Sequence, residues 1–253
     1  MEKWIGKTAV VTGASAGIGA SILCSLADHG INVIGLARRK TPIEALAKQN
    51  AGKGKILALS CDVSDPKSIE AVFRYIERNI GPIHIWINNA GIWRASKLTN
   101  EALRDDEVIA TINTNLTGLV LCSRKAVRLM EKNDEPGYLI NINSVAGMLS
   151  ASNTLAEMGT NVYAGTKHAA ANITEILRIE LAAKSHNKIR VSNISPGIVY
   201  TDIFIKAGMS KELRDKLVGL KPEDIADSVI YLLSTPLSVN VSELTIRPSK
   251  SVY

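Results

Sequence analysis

Apolar, β-branched runs alternate with amphipathic stretches from one end of the chain to the other. Thr8–Thr12, Asn32–Ala37, Ile56–Cys61 and Ile83–Ile87 are short and almost continuously apolar, the pattern of strands covered on both faces. Tyr138–Ile142, Ile189–Ile194 and Val241–Ile246 repeat it, giving about seven strands. Between them apolar positions recur at helical spacing. Ile18–His29 aligns Ile18, Ile22, Leu23 and Leu26, and Gly30 follows where a helix favours a left-handed residue. Pro42–Gln49 begins with a proline suited to a first turn, with Thr41 placed to cap it. Asp65–Asn79 opens with Pro66, and Glu101–Met130 reads as helix broken near Thr111–Asn115. Val162–Lys184, Lys211–Leu217 and Glu223–Leu233 complete the helices. This alternation predicts right-handed βαβ crossovers and a doubly wound parallel α/β sheet with helices on both faces. No repeat, low-complexity tract or linker interrupts it, so residues 1–253 read as a single domain.

Composition changes little. The chain is 46% hydrophobic and 21% charged, as ordinary globular domains are. The formal net charge is +6, but the longest basic run is Arg38-Arg39-Lys40, which predicts a mildly basic surface and no nucleic-acid partner. Cys24, Cys61 and Cys122 are odd in number and form no CxxC pair, the usage of reduced core thiols in a cytoplasmic protein. The four histidines are scattered and offer no metal-ligand spacing. Met1–Lys7 lacks an apolar signal region, and no run reaches the ~18 apolar residues of a membrane span.

The chemistry begins where the first strand runs into Gly13-Ala14-Ser15-Ala16-Gly17-Ile18-Gly19 and a helix. Glycines at the first βα turn let backbone approach a pyrophosphate, and the helix N-terminus favours its charge. This is the phosphate loop expected of a Rossmann-type dinucleotide domain. A carboxylate ending the second strand would repel a 2′-phosphate; here the strand ends Ala37-Arg38-Arg39, which favours NADP over NAD. Tyr163 and Lys167 stand at i and i+4, on one helix face. The lysine's ammonium is expected to lower the phenol pKa from about 10, suiting Tyr163 to general acid/base work. Ser144 follows an apolar strand and could bond a substrate oxygen, and Asn115 offers an amide at the helix break. Asn88, Asn89, Ala90 and Gly91 follow the fourth strand and could line the cofactor cleft. Taken singly, Ser144 could equally be a cap and Asn115 a core hydrogen bond.

Together these motifs resemble the classical short-chain dehydrogenases/reductases. The resemblance rests on TGASAGIG at 12–19, Asp62 with Val63, NNAG at 88–91, Asn115, Ser144, Tyr163 with Lys167, and Pro196-Gly197 followed by Val199 and Thr201. It covers essentially the whole chain. It implies a catalytic tetrad of Asn115, Ser144, Tyr163 and Lys167, with Lys167 also on the nicotinamide ribose, Asn115 holding a water in a proton relay and Asp62 near the adenine. Arg38 matches the position that marks NADP-preferring members, although Ala16 stands where such members often carry a basic residue. Gly165-Thr166 replaces the commoner Ala-Ser. Trp4–Lys7, Val33–Arg39, Leu220–Ala226 and Glu243–Pro248 resemble insect farnesol dehydrogenase-like members and related animal reductases of steroids and other carbonyls.

Two regions are expected to form the substrate side. One is the loop at 145–162, with Val145, Met148 and Met158; the other is a lid at 198–219, with Phe204 and Met209. Trp93 would add an aromatic wall. These residues could also be plain core; otherwise they cover an apolar substrate. The resulting expectation is an NADP(H)-dependent oxidoreductase interconverting alcohol and carbonyl on a lipophilic substrate, such as the isoprenoid farnesol. The alternatives are a steroid, ecdysteroid or broad carbonyl reductase and, more remotely, a non-catalytic NADP(H) sensor. An extended-family epimerase or dehydratase would need wider glycine spacing and a longer substrate domain. Ala164, Gly165, Ala169, Ala170 and Ala171 give the Val162–Lys184 helix a small-residue face, and with the resemblance they imply a homodimer or homotetramer.

Overall fold

The computed structural model describes residues 1–148 and 157–250, apart from the side chain at position 213. Seven parallel strands form one sheet: β1 (Thr8–Thr12), β2 (Asn32–Ala37), β3 (Ile56–Ser60), β4 (Ile85–Asn88), β5 (Gly137–Ile142), β6 (Ile189–Pro196) and β7 (Glu243–Ile246). Their order is β3-β2-β1-β4-β5-β6-β7. The direction of winding reverses between β1 and β4, and in such sheets ligands bind beyond the strand ends at that point.

The helices are α1 (Gly17–Asp28), α2 (Thr41–Gln49), α3 (Pro66–Asn79), α4 (Asp105–Ile112), α5 (Gly118–Glu131), α6 (Asn161–Ala182), the single turns α7 (Ile203–Lys206) and α8 (Lys211–Arg214), and α9 (Pro222–Ser234). Ile22, Leu23 and Leu26 of α1 bury one sheet face together with Val229, Leu232 and Leu233 of α9. Ile69, Phe73 and Ile76 of α3, Met130 of α5 and Leu181 of α6 bury the other. There Phe73 stacks on Trp86 at 4.7 Å. Burial pushes the Cys61 thiol up to about 11 and Cys122 up as well, so both behave as unreactive core thiols.

Element ends follow local chemistry. Gly30 closes α1 at φ 81°; its N–H donates to Ala27 O at 2.9 Å and that of Ile31 to Leu26 O at 3.1 Å, a Schellman closure. Asp65 caps α3 by accepting from Lys67 N at 2.9 Å. Thr41 does not cap α2: it lies inside the first turn, after Lys40. The fourth strand begins two residues later than its apolar run and ends on Asn88. β6 runs on to Pro196, and the helix expected at Lys211–Leu217 stops at Arg214. The break in the fourth helical stretch is a π-helical turn, Asn113–Thr117. Gly118 follows it because a Cβ there would lie 2.4 Å from Val63 O. Among the described residues no helix is long and apolar enough to cross a membrane.

A polar row crosses this apolar sheet. Asn88, Asn141, Asn193 and Glu243 are register partners on β4 to β7. Asn88 accepts from the Trp86 indole at 2.7 Å and donates to Ser123 Oγ at 2.9 Å and Asn141 Oδ1 at 2.8 Å. Asn141 donates to Thr174 Oγ1 on α6 at 2.7 Å. The row therefore ties β4, β5, α5 and α6 to one another beneath the strand ends. Asn88→Ala would strand the Trp86 N–H and Asn141 Oδ1 in the core. The expected cost is about 2 to 4 kcal/mol of unfolding free energy, read by urea denaturation. A loss under about 0.5 kcal/mol would contradict this reading of the row.

Candidate active site

Strand ends β1 and β4 are stitched together by two side chains. The Thr12 hydroxyl accepts from Asn89 N at 2.9 Å and Ala90 N at 3.0 Å. In return the Asn89 amide donates to Thr12 O at 2.9 Å and Gly13 O at 3.2 Å. That stitch leaves no room beside the glycines. A Cβ on Gly13 would meet Ala90 Cα at 2.8 Å, and one on Gly19 would meet Gly13 O and Asn89 Nδ2 at 2.4 Å. Gly13 and Gly17 also take φ 66° and 54°. Ala16 precedes α1 without any side-chain cap, so the first helical N–H groups are left for a ligand's phosphate oxygens.

The other residues expected at a cofactor gather around this loop. Thr201 packs on Gly17, its Cγ2 3.0 Å from the position of a Cβ there. Gly197 follows Pro196 and donates to Ile246 O at 2.7 Å, and Val199 is buried. Arg38 and Arg39 are exposed past β2, with Ser60 Oγ donating to Arg38 O at 3.2 Å. Asp62 accepts from Ser64 N and Oγ at 2.9 and 2.7 Å, and Val63 backs onto Gly118. No acid ends β2. A crowded glycine cradle, an uncapped helix N-terminus and exposed guanidiniums fit a dinucleotide carrying an additional phosphate. Asn89 is spent on the loop itself, and Asn88 is buried in the polar row.

The tetrad residues come together at the ends of β4 and β5. Lys167 is only 6% exposed. Its Nζ donates to Ile142 O at 3.1 Å and lies 5.7 Å from the Tyr163 ring centroid. Burial drops the ammonium to about 8. Ser144 bears on the Tyr163 phenol, pulling its pKa down, and caps the next turn by accepting from Ala146 N at 3.1 Å. The phenol departs from expectation. Burial raises its pKa, Ser144 pulls the other way, and Lys167 is engaged on the backbone carbonyl instead. Asn115 is committed too: Oδ1 accepts from Ile92 N at 2.8 Å, and Nδ2 donates to Ile92 O at 2.9 Å and Thr166 Oγ1 at 3.3 Å.

The sequence reading assigned no role to four residues at this site. Thr166 donates to Tyr163 O at 2.7 Å while accepting from Asn115, so it couples the π turn to α6. Asn143 donates to Lys167 O at 3.1 Å. Asn161 and Thr12 hold backbone in place. Their roles left little signal: Thr12 and Thr166 sit inside motifs whose other residues drew the reading, and Asn143 and Asn161 are single polar residues beside one.

An apolar cluster adjoins Tyr163. Trp93 meets Tyr163 at 6.0 Å and Phe204 edge-on at 5.7 Å between ring centroids. Met158, Ile203, Leu217, Ala207 and Met209 pack with them. Two residues expected beside the substrate lie outside this cluster: Met148 is half-exposed against Thr245, and Val145 belongs to the turn after Ser144. Residues 149–156 of the expected loop, including Leu149 and Leu155, lie outside the described residues.

Comparison with known proteins agrees with this geometry. Residues 7–212 match the family of short chain dehydrogenases. A farnesol dehydrogenase of Aedes aegypti is 40% identical, covering 98% of either chain. The human dehydrogenase/reductase SDR family member 11 is 36% identical, over 100% of this chain and 98% of its own. Among solved structures, the closed form of a serine dehydrogenase complexed with NADP+ superposes with a TM-score of 0.85 at 27% identity, covering 97% of this chain and 96% of the other.

The cradle makes a direct prediction. Gly19→Ala forces its new methyl onto Gly13 O, so the loop must shift. NADPH affinity is expected to fall by about tenfold or more, with the far-UV spectrum retained. Unchanged binding by fluorescence titration would show that the loop does not hold the pyrophosphate.

Proposed function

The chain belongs to the short-chain dehydrogenase family, and from that premise we propose that it is an NADP(H)-dependent oxidoreductase of lipophilic alcohols and carbonyls, of which an isoprenoid such as farnesol is the first candidate. The observation that carries this reading is the contact between Tyr163 and the apolar Trp93–Phe204 corner. A proton-handling group and a greasy wall meet at one place. The relative from Aedes aegypti supports the isoprenoid, and exposed Arg38 supports the 2′-phosphate. Steroids or a broader range of carbonyls are the second reading, since the same apolar cluster would also face them. A silent sensor would gain nothing from a buried lysine held beside a phenol.

Bound cofactor supplies the hydride; the chain's own residues manage the oxygen. In reduction, Tyr163 is a phenol at neutral pH because burial keeps it protonated. It gives that proton to the carbonyl oxygen as the oxygen becomes an alkoxide, while Ser144 donates to the same oxygen. Lys167 Nζ, 5.7 Å from the ring centroid, places a positive charge beside the phenol as it gives up that proton. Asn115 and Thr166 hold the backbone of Ile92 and Tyr163 on either side. Phe204 and Met209 cover the apolar side and exclude water, the role we assign to the lid at 198–219.

Assembly belongs to the same proposal. Ile109 and Ile112 of α4 and Ile176 and Ile179 of α6 are exposed on helices packed against each other. Two copies meeting there across a two-fold axis would bury them as a homodimer or half of a homotetramer.

Two measurements check the mechanism. Tyr163→Phe is expected to keep NADPH affinity and lose roughly 10²–10⁴-fold in kcat. A Phe variant that kept most of its turnover would overturn the assignment. The pH profile follows from Lys167. Its ammonium loses its proton as pH rises through about 8, far below the usual lysine range. Accordingly kcat/KM for reduction, which reports the free enzyme, is expected to fall above pH of about 8. A profile flat to pH of about 10 would show that a charged Lys167 is not required.

A further inference from the structure

One side chain ties the wall that follows β4 to the start of the catalytic helix. Asn161 opens α6 at φ 37°, in the left-handed region that a residue with a side chain adopts at a cost. Asp134 is the one other non-glycine residue with positive φ among the described residues. The Asn161 amide donates to Arg94 O at 2.7 Å, Ser96 O at 3.0 Å and Gly159 O at 3.2 Å. Asparagine suits the position, because it tolerates this conformation and carries two donors. Neighbouring bonds point the same way. The Trp93 indole and Ser96 N both donate to Gly159 O, each at 3.1 Å. A Cβ on Gly159 would lie 2.6 Å from Ser96 N, so the two backbones touch. On its far side the wall reaches α7: Ala95 N donates to Ala207 O at 3.0 Å and Arg94 Nη1 to Lys206 O at 2.7 Å.

Trp93 is thereby held against Tyr163 by the chain itself, before any substrate arrives. Resting on the oxidoreductase reading above, we propose that Asn161 is a positioning residue that sets the gap between Trp93 and the Tyr163 phenol, and through that gap the preference for bulky apolar substrates. Tyr163 follows Asn161 by two residues on the same helix, while Trp93 precedes Arg94 and Ser96 on the wall. Removing the Asn161 amide leaves the wall held by Asn115, Gly159 and α7 but without its direct side-chain tie to the first residue of the helix that carries the phenol, so the two can shift relative to each other. A long apolar carbonyl buries its chain against that wall and depends on it; a small polar one does not.

Asn161→Gly keeps the left-handed backbone without strain and deletes the tie, so the variant is expected to fold. Asn161→Asp keeps the shape but turns an acceptor toward the carbonyls of Arg94 and Ser96. In both, KM for a long-chain aldehyde such as farnesal is expected to rise on the order of tenfold, and a small polar carbonyl is expected to lose far less. Hydrogen exchange at the Ala95 and Ser96 amides is expected to quicken in both. A role in stability alone would lower Tm and leave the selectivity between the two carbonyls where it was. A selectivity within about twofold of the wild type in both variants would overturn the proposal. If the wild-type enzyme reduced no carbonyl, the oxidoreductase reading would fall by itself. Exchange would then decide the tie alone: quickened exchange in Asn161→Gly supports it and unchanged exchange removes it.

Discussion

Lys167 carries an ammonium into a place with almost no water, and the surroundings are shaped by that demand. Desolvation alone makes the charge costly, which is why its pKa falls to about 8. The described compensation is the Ile142 carbonyl at the end of β5. For that bond to form, α6 must lie hard against the strand ends. Gly147 permits it, since a Cβ there would be 2.6 Å from Lys167 O, and Asn143 donates to the same carbonyl. Gly91 leaves open the space above Nζ, where a Cβ would come within 3.9 Å of it. Thr174, one helical stretch further on, fastens α6 to the Asn88–Asn141 row. A buried charge, small residues around it and polar ties behind it form one arrangement.

The reversal of strand order between β1 and β4 supplies the second half of the site. Thr12 and Asn89 close that crevice from below, leaving the glycine loop to face outward. The π turn at Asn113–Thr117 then places Asn115 where it can grip Ile92 on both its N–H and its carbonyl. Irregular helix geometry costs hydrogen-bond regularity, and here it positions a side chain against the backbone just after the NNAG stretch. The glycine loop, tetrad and aromatic wall thus share one set of supports, running from β1 through β4 to α6.

Much of this was legible beforehand. The strands follow from uninterrupted apolar runs, because a strand covered on both faces has no polar side to show, and all seven expected strands are present. Tyr163 and Lys167 stood out by spacing and Asn115 and Ser144 through the family resemblance, and the structure gathers the four at the strand ends. What escaped was contextual. The Tyr163 phenol moves up because burial outweighs the pull of Ser144, with the lysine engaged elsewhere, and sequence spacing carries no information on desolvation. Asn161 and Thr166 act through single hydrogen bonds to residues far away in the chain, which leave no periodic trace. Met148 looked like substrate lining from its hydrophobicity, yet it lies against Thr245 of β7. The one-turn helix at Ile203–Lys206 is too short for any period to announce.

The central claim is that a hydride passes between nicotinamide and an apolar substrate beside Tyr163. Its most direct test is isotope transfer. The enzyme is incubated with NADPH deuterated at C4, separately on each face, and with farnesal, and the alcohol is analysed by mass spectrometry and proton NMR. The account predicts a single deuterium at the carbinol carbon from one labelled face and none from the other. Bound NADPH with no label reaching any carbonyl, across isoprenoid, steroidal and small substrates alike, would contradict it.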